Sequence, residues 1–233
     1  MQRSDKPANN DLLFEIGPKN LSPMFGFLIV ISFLFSMLQV LNGETMFVGS
    51  YSNEIISFQL ESDSLTVLSR TPSGKNPSWL AVSQCGRYIF AVNEVNDFEG
   101  NYEGAVEAYK IINLAEGKLK FINRVSSRGG SPAHLHVRGN FIYVSNYCSG
   151  SITLLTFNSQ NGELSGPLQE VTHYPSVRNE TIIDCNRKDI PHIHQVIDDE
   201  IEHAILSTDL GLDSIFQYQL QRDGLLKVPP KEI

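Results

Sequence analysis

Four of the six histidines lie in two short stretches that each follow a proline, Ser131-Pro-Ala-His-Leu-His136 and Ile190-Pro-His-Ile-His194. Arg187 stands just upstream of the second, and Glu94 closes the apolar run Ala91-Val-Asn-Glu94. Imidazole and carboxylate groups can take a proton from water and return it to a leaving oxygen, while a guanidinium fork matches phosphate or carboxylate. Together these types suit acid–base work on a small anionic ligand. His134, Arg187, His194 and Glu94 are the catalytic candidates, and Asn76, His192, Asn146 and Asp209 the substrate-binding ones. Each has a plainer reading. His134 and His194 can bond loop carbonyls; Arg187 can pair with Asp184 or Asp189; Glu94 can tie down a neighbouring loop. Asn76, Asn146 and Asp209 suit turn bonding. His136 alternates with His134 and is expected to pack.

Other chemistries lack their signatures. The chain has no GxSxG elbow, P-loop, HExxH or dinucleotide GxGxxG. His192 and His194 would share a strand face, but no carboxylate or cysteine stands at a partner spacing, so neither metal nor cofactor is expected. With 18 basic against 26 acidic residues and a formal charge of −8, the chain carries no electrostatic footprint for nucleic acid. Cys85, Cys148 and Cys185 form no CxxC pair; an odd count allows at most one internal bridge, and three small, partly buried thiols are expected.

The elements that must position these groups recur. A strand ending in a small polar or acidic position appears at Tyr88-Ile-Phe-Ala-Val-Asn-Glu94, Phe141-Ile-Tyr-Val-Ser-Asn-Tyr147 and Ala204-Ile-Leu-Ser-Thr-Asp-Leu210, with Met46-Phe-Val-Gly-Ser-Tyr51 as a shorter relative. A second strand opening from Gly, Asn or Asp and ending in an aromatic follows each, then a turn, then an outer strand. Between units lie Asn76-Pro-Ser-Trp-Leu80, Ser131-Pro-Ala-His-Leu135 and Ile190-Pro-His-Ile-His194, whose prolines are 55 and 59 residues apart. A four-stranded unit of this length cannot bury both faces alone, but radial stacking hides each face against its neighbour. The pattern predicts an all-β, β-propeller fold over 46–233, truncated to about three and a half blades, with the proline-bearing loops converging on one end. His134 and His194, each after a proline, are expected at corresponding positions in successive blades, with Trp79 and Tyr147 as blade packing.

The N-terminus differs. Residues 1–23 form a polar leader, and residues 24–41, MFGFLIVISFLFSMLQVL, are apolar without a charge. A hydrophobic helix is expected there, either a membrane anchor or a secretory signal, at the short end of what crosses a bilayer. With it the protein would be membrane-tethered or secreted, and the sequon Asn179-Glu180-Thr181 usable.

In the stretches Phe47-Val-Gly-Ser-Tyr51, Asn76-Pro-Ser-Trp-Leu80, Ala91-Val-Asn-Glu94, Gly130-Ser-Pro-Ala-His134, Asn146-Tyr-Cys-Ser-Gly-Ser151, Arg187-Lys-Asp-Ile-Pro-His-Ile-His194 and Asp209-Leu-Gly-Leu-Asp213, the chain resembles the seven-bladed lactonase family. That family includes the propeller-type 6-phosphogluconolactonases and the carboxy-cis,cis-muconate cyclases. The resemblance covers roughly Met46 to Gly224 and departs at Lys188, where the family frequently has Gln. It implies a hydrolase acting on a small anionic sugar lactone in carbohydrate metabolism, with Arg187 holding the anionic group and His134, His194 and Glu94 managing water and protons. It also implies a cytoplasmic setting if the N-terminal segment does not direct export. A muconate-type lactonising enzyme and a non-catalytic binding propeller are the alternatives.

Overall fold

The computed structural model describes residues 45–61, 64–173, 185–186 and 190–233, and the backbone of 28–33 and 35–40. Short β-branched and aromatic runs bounded by Gly, Asn and Asp form antiparallel strands throughout, arranged as four up-and-down sheets. The first holds β1 (Leu28–Phe33), β2 (Phe35–Val40), β3 (Thr45–Gly49), β4 (Glu54–Glu61) and β5 (Ser64–Pro72). The second holds β6 (Leu80–Val82), β7 (Tyr88–Asn93), β8 (Ala105–Asn113) and β9 (Lys118–Ser126). The third holds β10 (Pro132–Arg138), β11 (Phe141–Asn146), β12 (Ser151–Phe157) and β13 (Leu164–Thr172). The fourth holds β14 (Ile193–Asp199), β15 (Ala204–Asp209), β16 (Ser214–Gln219) and β17 (Lys231–Glu232).

These sheets are propeller blades because consecutive strands of one blade feed two different layers. On β7, Ile89 and Ala91 pack toward the first blade with Phe47, Ile55 and Leu80, while Phe90 and Val92 pack toward the third with Leu135, Ile142 and Val144. On the third blade, Ile142 and Val144 look back and Tyr143 looks forward to Ile193, Val196 and Ile205. This period of two is what a strand buried on both faces requires. Each fully buried aliphatic or aromatic side chain contributes about 1.5–3 kcal/mol, so the layers between blades carry the association.

The junctions at one end are close. A Cβ at Gly104 would stand 2.2 Å from the Pro132 ring, and one at Gly150 2.5 Å from Pro191 Cβ. The prolines of the interblade stretches therefore lie against the turn that opens the third strand of the preceding blade.

The apolar N-terminal segment is not the expected helix. β1 and β2 pair in register from Leu28↔Val40 to Phe33↔Phe35, and β2 continues onto β3 from Ser36↔Gly49 to Val40↔Thr45. Uniformly apolar runs carry no periodicity that separates a strand from a buried helix. Here the open edge of β3 supplies hydrogen-bond partners that a helix would forgo. Among the described residues, no helix is long and apolar enough to cross a membrane. Residues 1–23, like the sequon at Asn179, lie outside the described residues.

Candidate active site at the loop end of the blades

In blades two to four the second strand ends and the third begins at one end, as β3 ends and β4 begins in the first, and β5, β9 and β13 leave for the next blade at that same end. This up-and-down order alone brings the loops bearing Tyr51, Asn76, Glu94, Tyr147, His192 and Leu210 to one mouth. Two polar groups form there, with an aromatic contact between them.

The first group joins blades one and two. Asn76, in left-handed conformation with φ 53°, donates from Nδ2 to the Glu94 carbonyl at 3.0 Å, and the Glu94 amide donates to the Asn76 carbonyl at 3.0 Å. The Tyr51 hydroxyl donates to the Glu94 carboxylate, 3.0 and 3.1 Å from its two oxygens. Partial burial and the Glu94 charge push the Tyr51 phenol up to about 12, so it stays a donor at neutral pH. Glu94 thus has a fixed backbone and a carboxylate held by one hydroxyl. Tyr51 was not singled out by sequence reasoning, although it closes the run Phe47-Val-Gly-Ser-Tyr51.

Between the groups, the Trp79 ring packs on His134, centroids 4.1 Å apart, and its Nε1 donates to the Leu135 carbonyl at 3.1 Å. His134 is 5 % exposed, and its Nδ1 has no hydrogen-bond partner among the described residues. Burial, with His136 and His194 nearby, pushes its imidazole down to about 3. His134 is therefore neutral at any working pH: it can accept or donate one hydrogen bond but is a poor proton carrier. His136 is also lowered, chiefly by burial.

The second group joins blades three and four. The Tyr147 ring stacks on His192 at 4.6 Å and meets the His194 edge at 5.9 Å. His192 is buried, its Nδ1 lying 3.1 Å from the Tyr147 carbonyl. His194 is exposed and opens onto a cavity of about 570 Å³ shared with Thr208, Leu210, Asp213 and Ile215. Of the candidates described, it is the imidazole with room for substrate and water.

The expected correspondence of His134 and His194 is corrected by register. His134 stands opposite Ser145, and the residue opposite Thr208 at the same place in blade four is Gln195; His194 falls in the bulge between Ile193 and Gln195. In blade two the corresponding place is held by Trp79, whose carbonyl accepts from Val92. Counting from the proline misses this because Pro191 lies two residues further from its strand pair than Pro132. The two imidazoles are nonetheless close enough for His194 to bear on the charge of His134.

Two substrate-binding candidates are engaged within the scaffold. Asn146 is fully buried, its Nδ2 lying 3.0, 3.1 and 3.1 Å from the Ser127 carbonyl, Ser151 Oγ and Thr153 Oγ1, which share its two N–H donors. Asp209 accepts at Oδ1 from the amides of His192, Gly211 and Leu212 at 2.7, 3.0 and 3.1 Å, and its Oδ2 meets His173 Nδ1 at 2.5 Å. Burial works against its charge, but these hydrogen bonds outweigh that and hold the carboxyl below its ordinary range. Asn93, Asn146 and Asp209 end the second strand of successive blades and reach the exit of the preceding blade's outer strand. Asn93 and Asn146 do so where only glycine fits, since a Cβ at Gly74 or Gly129 would fall within 2.6 Å of the amide. In blade four the pair becomes Asp209 and His173.

Arg187, with Asp184 and Asp189, lies outside the described residues. Beside it, Cys185 is bonded to Cys148, so the expectation of three thiols is corrected: Cys85 alone is free, and it is exposed. The pairing joins positions 37 residues apart, beyond the reach of local pattern reading.

A family model described as lactonase, seven-bladed β-propeller, matches residues 45–233. The chain is 27 % identical over 188 residues to a 6-phosphogluconolactonase of Bacillus subtilis, covering 77 % of this chain and 50 % of that one. It is 28 % identical over 188 residues to a 6-phosphogluconolactonase of Formosa agariphila, covering 77 % and 50 %. Among solved structures, a 6-phosphogluconolactonase candidate of Bacteroides fragilis superposes with a TM-score of 0.66 at 28 % identity, over 80 % of this chain and 55 % of that one. The periplasmic gluconolactonase of Pseudomonas aeruginosa, at 24 % identity and a TM-score of 0.63 over 75 % and 49 %, shares the fold. The chain spans about half the length of the relatives it matches.

Proposed function

We propose that this chain, which belongs to the seven-bladed β-propeller lactonase family, carries the mouth of an enzyme that hydrolyses a sugar lactone, 6-phosphogluconolactone to 6-phosphogluconate. The observation that carries the reading is the gathering at one end of an exposed imidazole, His194, beside a cavity, a buried neutral imidazole, His134, and the Glu94–Tyr51 pair. The names of the relatives supply the substrate class.

Ring opening forms a bond from water oxygen to the lactone carbonyl carbon and breaks the bond from that carbon to the ring oxygen. His194, open to solvent, takes the proton from the attacking water and returns it to the ring oxygen. Neutral His134 donates one hydrogen bond to the oxyanion from a site where it costs no reorganisation. Glu94, held by Tyr51 and Asn76, orients the water or substrate hydroxyls, and Arg187 binds the phosphate. Asn146 and Asp209 act through the backbone they hold.

The test is direct: purified chain is mixed with 6-phosphogluconolactone and acid release is followed against the spontaneous rate. Acceleration that His194→Ala lowers supports the reading; no acceleration with this substrate or with simple sugar lactones ends it. A non-catalytic propeller is the second reading, favoured by the scaffold engagement of Asn146 and Asp209. A dicarboxylate lactone in the same assay separates the muconate-type alternative.

A further inference from the structure

One buried hydroxyl lies between the main chains of the two imidazole residues of the mouth. Ser145 stands in β11, is fully buried and, like Tyr143 two residues before it, faces blade four. Its Oγ lies 3.3 Å from the His134 carbonyl across the strand pair and 3.1 Å from the His194 carbonyl in the next blade. A serine hydroxyl has one proton, so it donates a shared, three-centre bond to the two carbonyls.

The corresponding residue in blade two, across from Trp79, is Val92, fully buried in the layer with Leu135 and Val144. A hydroxyl in such a layer lowers stability unless it is bonded, and what bonds it in blade three is the backbone of both candidate catalytic histidines. The bond also meets a local need. The pairing of β14 with β15 passes from Ile193 to Gln195 over the bulged His194, which takes no place in the register. Ser145 supplies a tie from the neighbouring blade instead. Two residues on, the Tyr147 ring meets the His194 edge at 5.9 Å, so the end of β11 touches His194 at both main chain and side chain.

From this arrangement we propose that Ser145 is a positioning residue of the mouth, its hydroxyl tying the His194 main chain to that of His134 across the junction of blades three and four so that both imidazoles meet one substrate carbonyl. Ser145 is buried and touches no substrate itself. Without its hydroxyl, His194 keeps its exposure and its acid–base character but samples further orientations. Such a loss falls on kcat, because proton transfer needs the base within hydrogen-bond reach of the attacking water, whereas the groups that bind the sugar are untouched. The kinetic arm of the test rests on the lactonase reading; its magnetic-resonance arm does not.

The test compares the full chain with Ser145→Ala, which deletes the hydroxyl, Ser145→Val, which installs the blade-two side chain, and Ser145→Thr, which keeps a hydroxyl. The nuclear Overhauser contact between the His194 and Tyr147 rings is expected to be lost in the Ala and Val variants and to persist in the Thr variant, while the Tyr147–His192 contact stays in all as the internal reference. In the Ala and Val variants kcat for 6-phosphogluconolactone is expected to fall about tenfold with KM changed less than about twofold, and the Thr variant should return to within about threefold of the parent. A retained His194–Tyr147 contact in the deletion variants, a change in KM in place of kcat, or a folded Thr variant that behaves like Ala would each overturn the proposal. Failure of both deletion variants to fold would overturn it too, since the hydroxyl would then serve the fold; if one folds, it decides. If the parent chain opens no lactone, the functional reading fails, and the ring contact alone decides the positioning claim.

Discussion

His194 and His134 differ in exposure, and the proposed reaction assigns them different parts accordingly. His194 is exposed and its ring contact is the edge of Tyr147, so its removal disturbs little packing: His194→Ala is expected to keep the melting temperature nearly unchanged and to lower kcat by about a hundredfold, the lower end of what general acid–base catalysis supplies. Steady-state kinetics beside a thermal melt checks both halves. His134 is held neutral, and the linkage sign follows. Its folded pKa of about 3 lies below the ordinary value of 6.5, so between those values the unfolded chain binds the extra proton. Its contribution is complete above the ordinary value and is lost as pH falls toward the folded one. Melts of the native chain should drop over this window more steeply than those of His134→Gln, which carries the residue found at the corresponding place in blade four. Equal slopes would show that His134 does not sit buried and neutral.

At the scale of elements, the ends of the second strands hold the mouth together. Asp209 serves three amides and one imidazole, so Asp209→Ala leaves several buried donors without a partner and should destabilise the chain by about 3 kcal/mol. Asp209→Asn keeps an acceptor for the amides, as Asn93 and Asn146 show their positions tolerate, and should cost less than half as much in urea unfolding. Gly150→Ala is expected to be costly for a different reason. Its φ of 54° disfavours a side chain and Pro191 already fills the space, so about 2 kcal/mol should be lost. This turn was legible as a turn from Cys148-Ser-Gly150; its contact with a proline some forty residues away was not.

For the whole molecule, stability resides in layers shared by neighbouring blades. Phe90 is fully buried and meets Phe157 of the next blade at 4.7 Å, so Phe90→Ala should cost about 3–5 kcal/mol. Leu168 on an outer strand is 53 % exposed, and its replacement by Ala should stay within about 0.5 kcal/mol. Because each repeat contacts only its neighbours, hydrogen exchange in the Phe90 variant should rise in blades two and three before blade four. A uniform rise would mean that the four blades unfold as one unit.

The chain itself determined the repeat. Alternation of Ile89 and Ala91 with Phe90 and Val92 requires two buried faces, and the turn residues between runs require an up-and-down order, so the blades and the common end of their loops were legible in sequence. Tertiary structure decided what depends on partners distant along the chain. The side chains of Asn146 and Asp209 bond Ser127 and His173, and His134 is held neutral by its burial beside Trp79; each of these facts needs a partner far along the chain. The Cys148–Cys185 bridge and the one-residue bulge at His194 belong to the same class. Periodicity is a property of neighbouring residues and survives in one dimension; hydrogen-bond satisfaction and desolvation depend on which blade faces which.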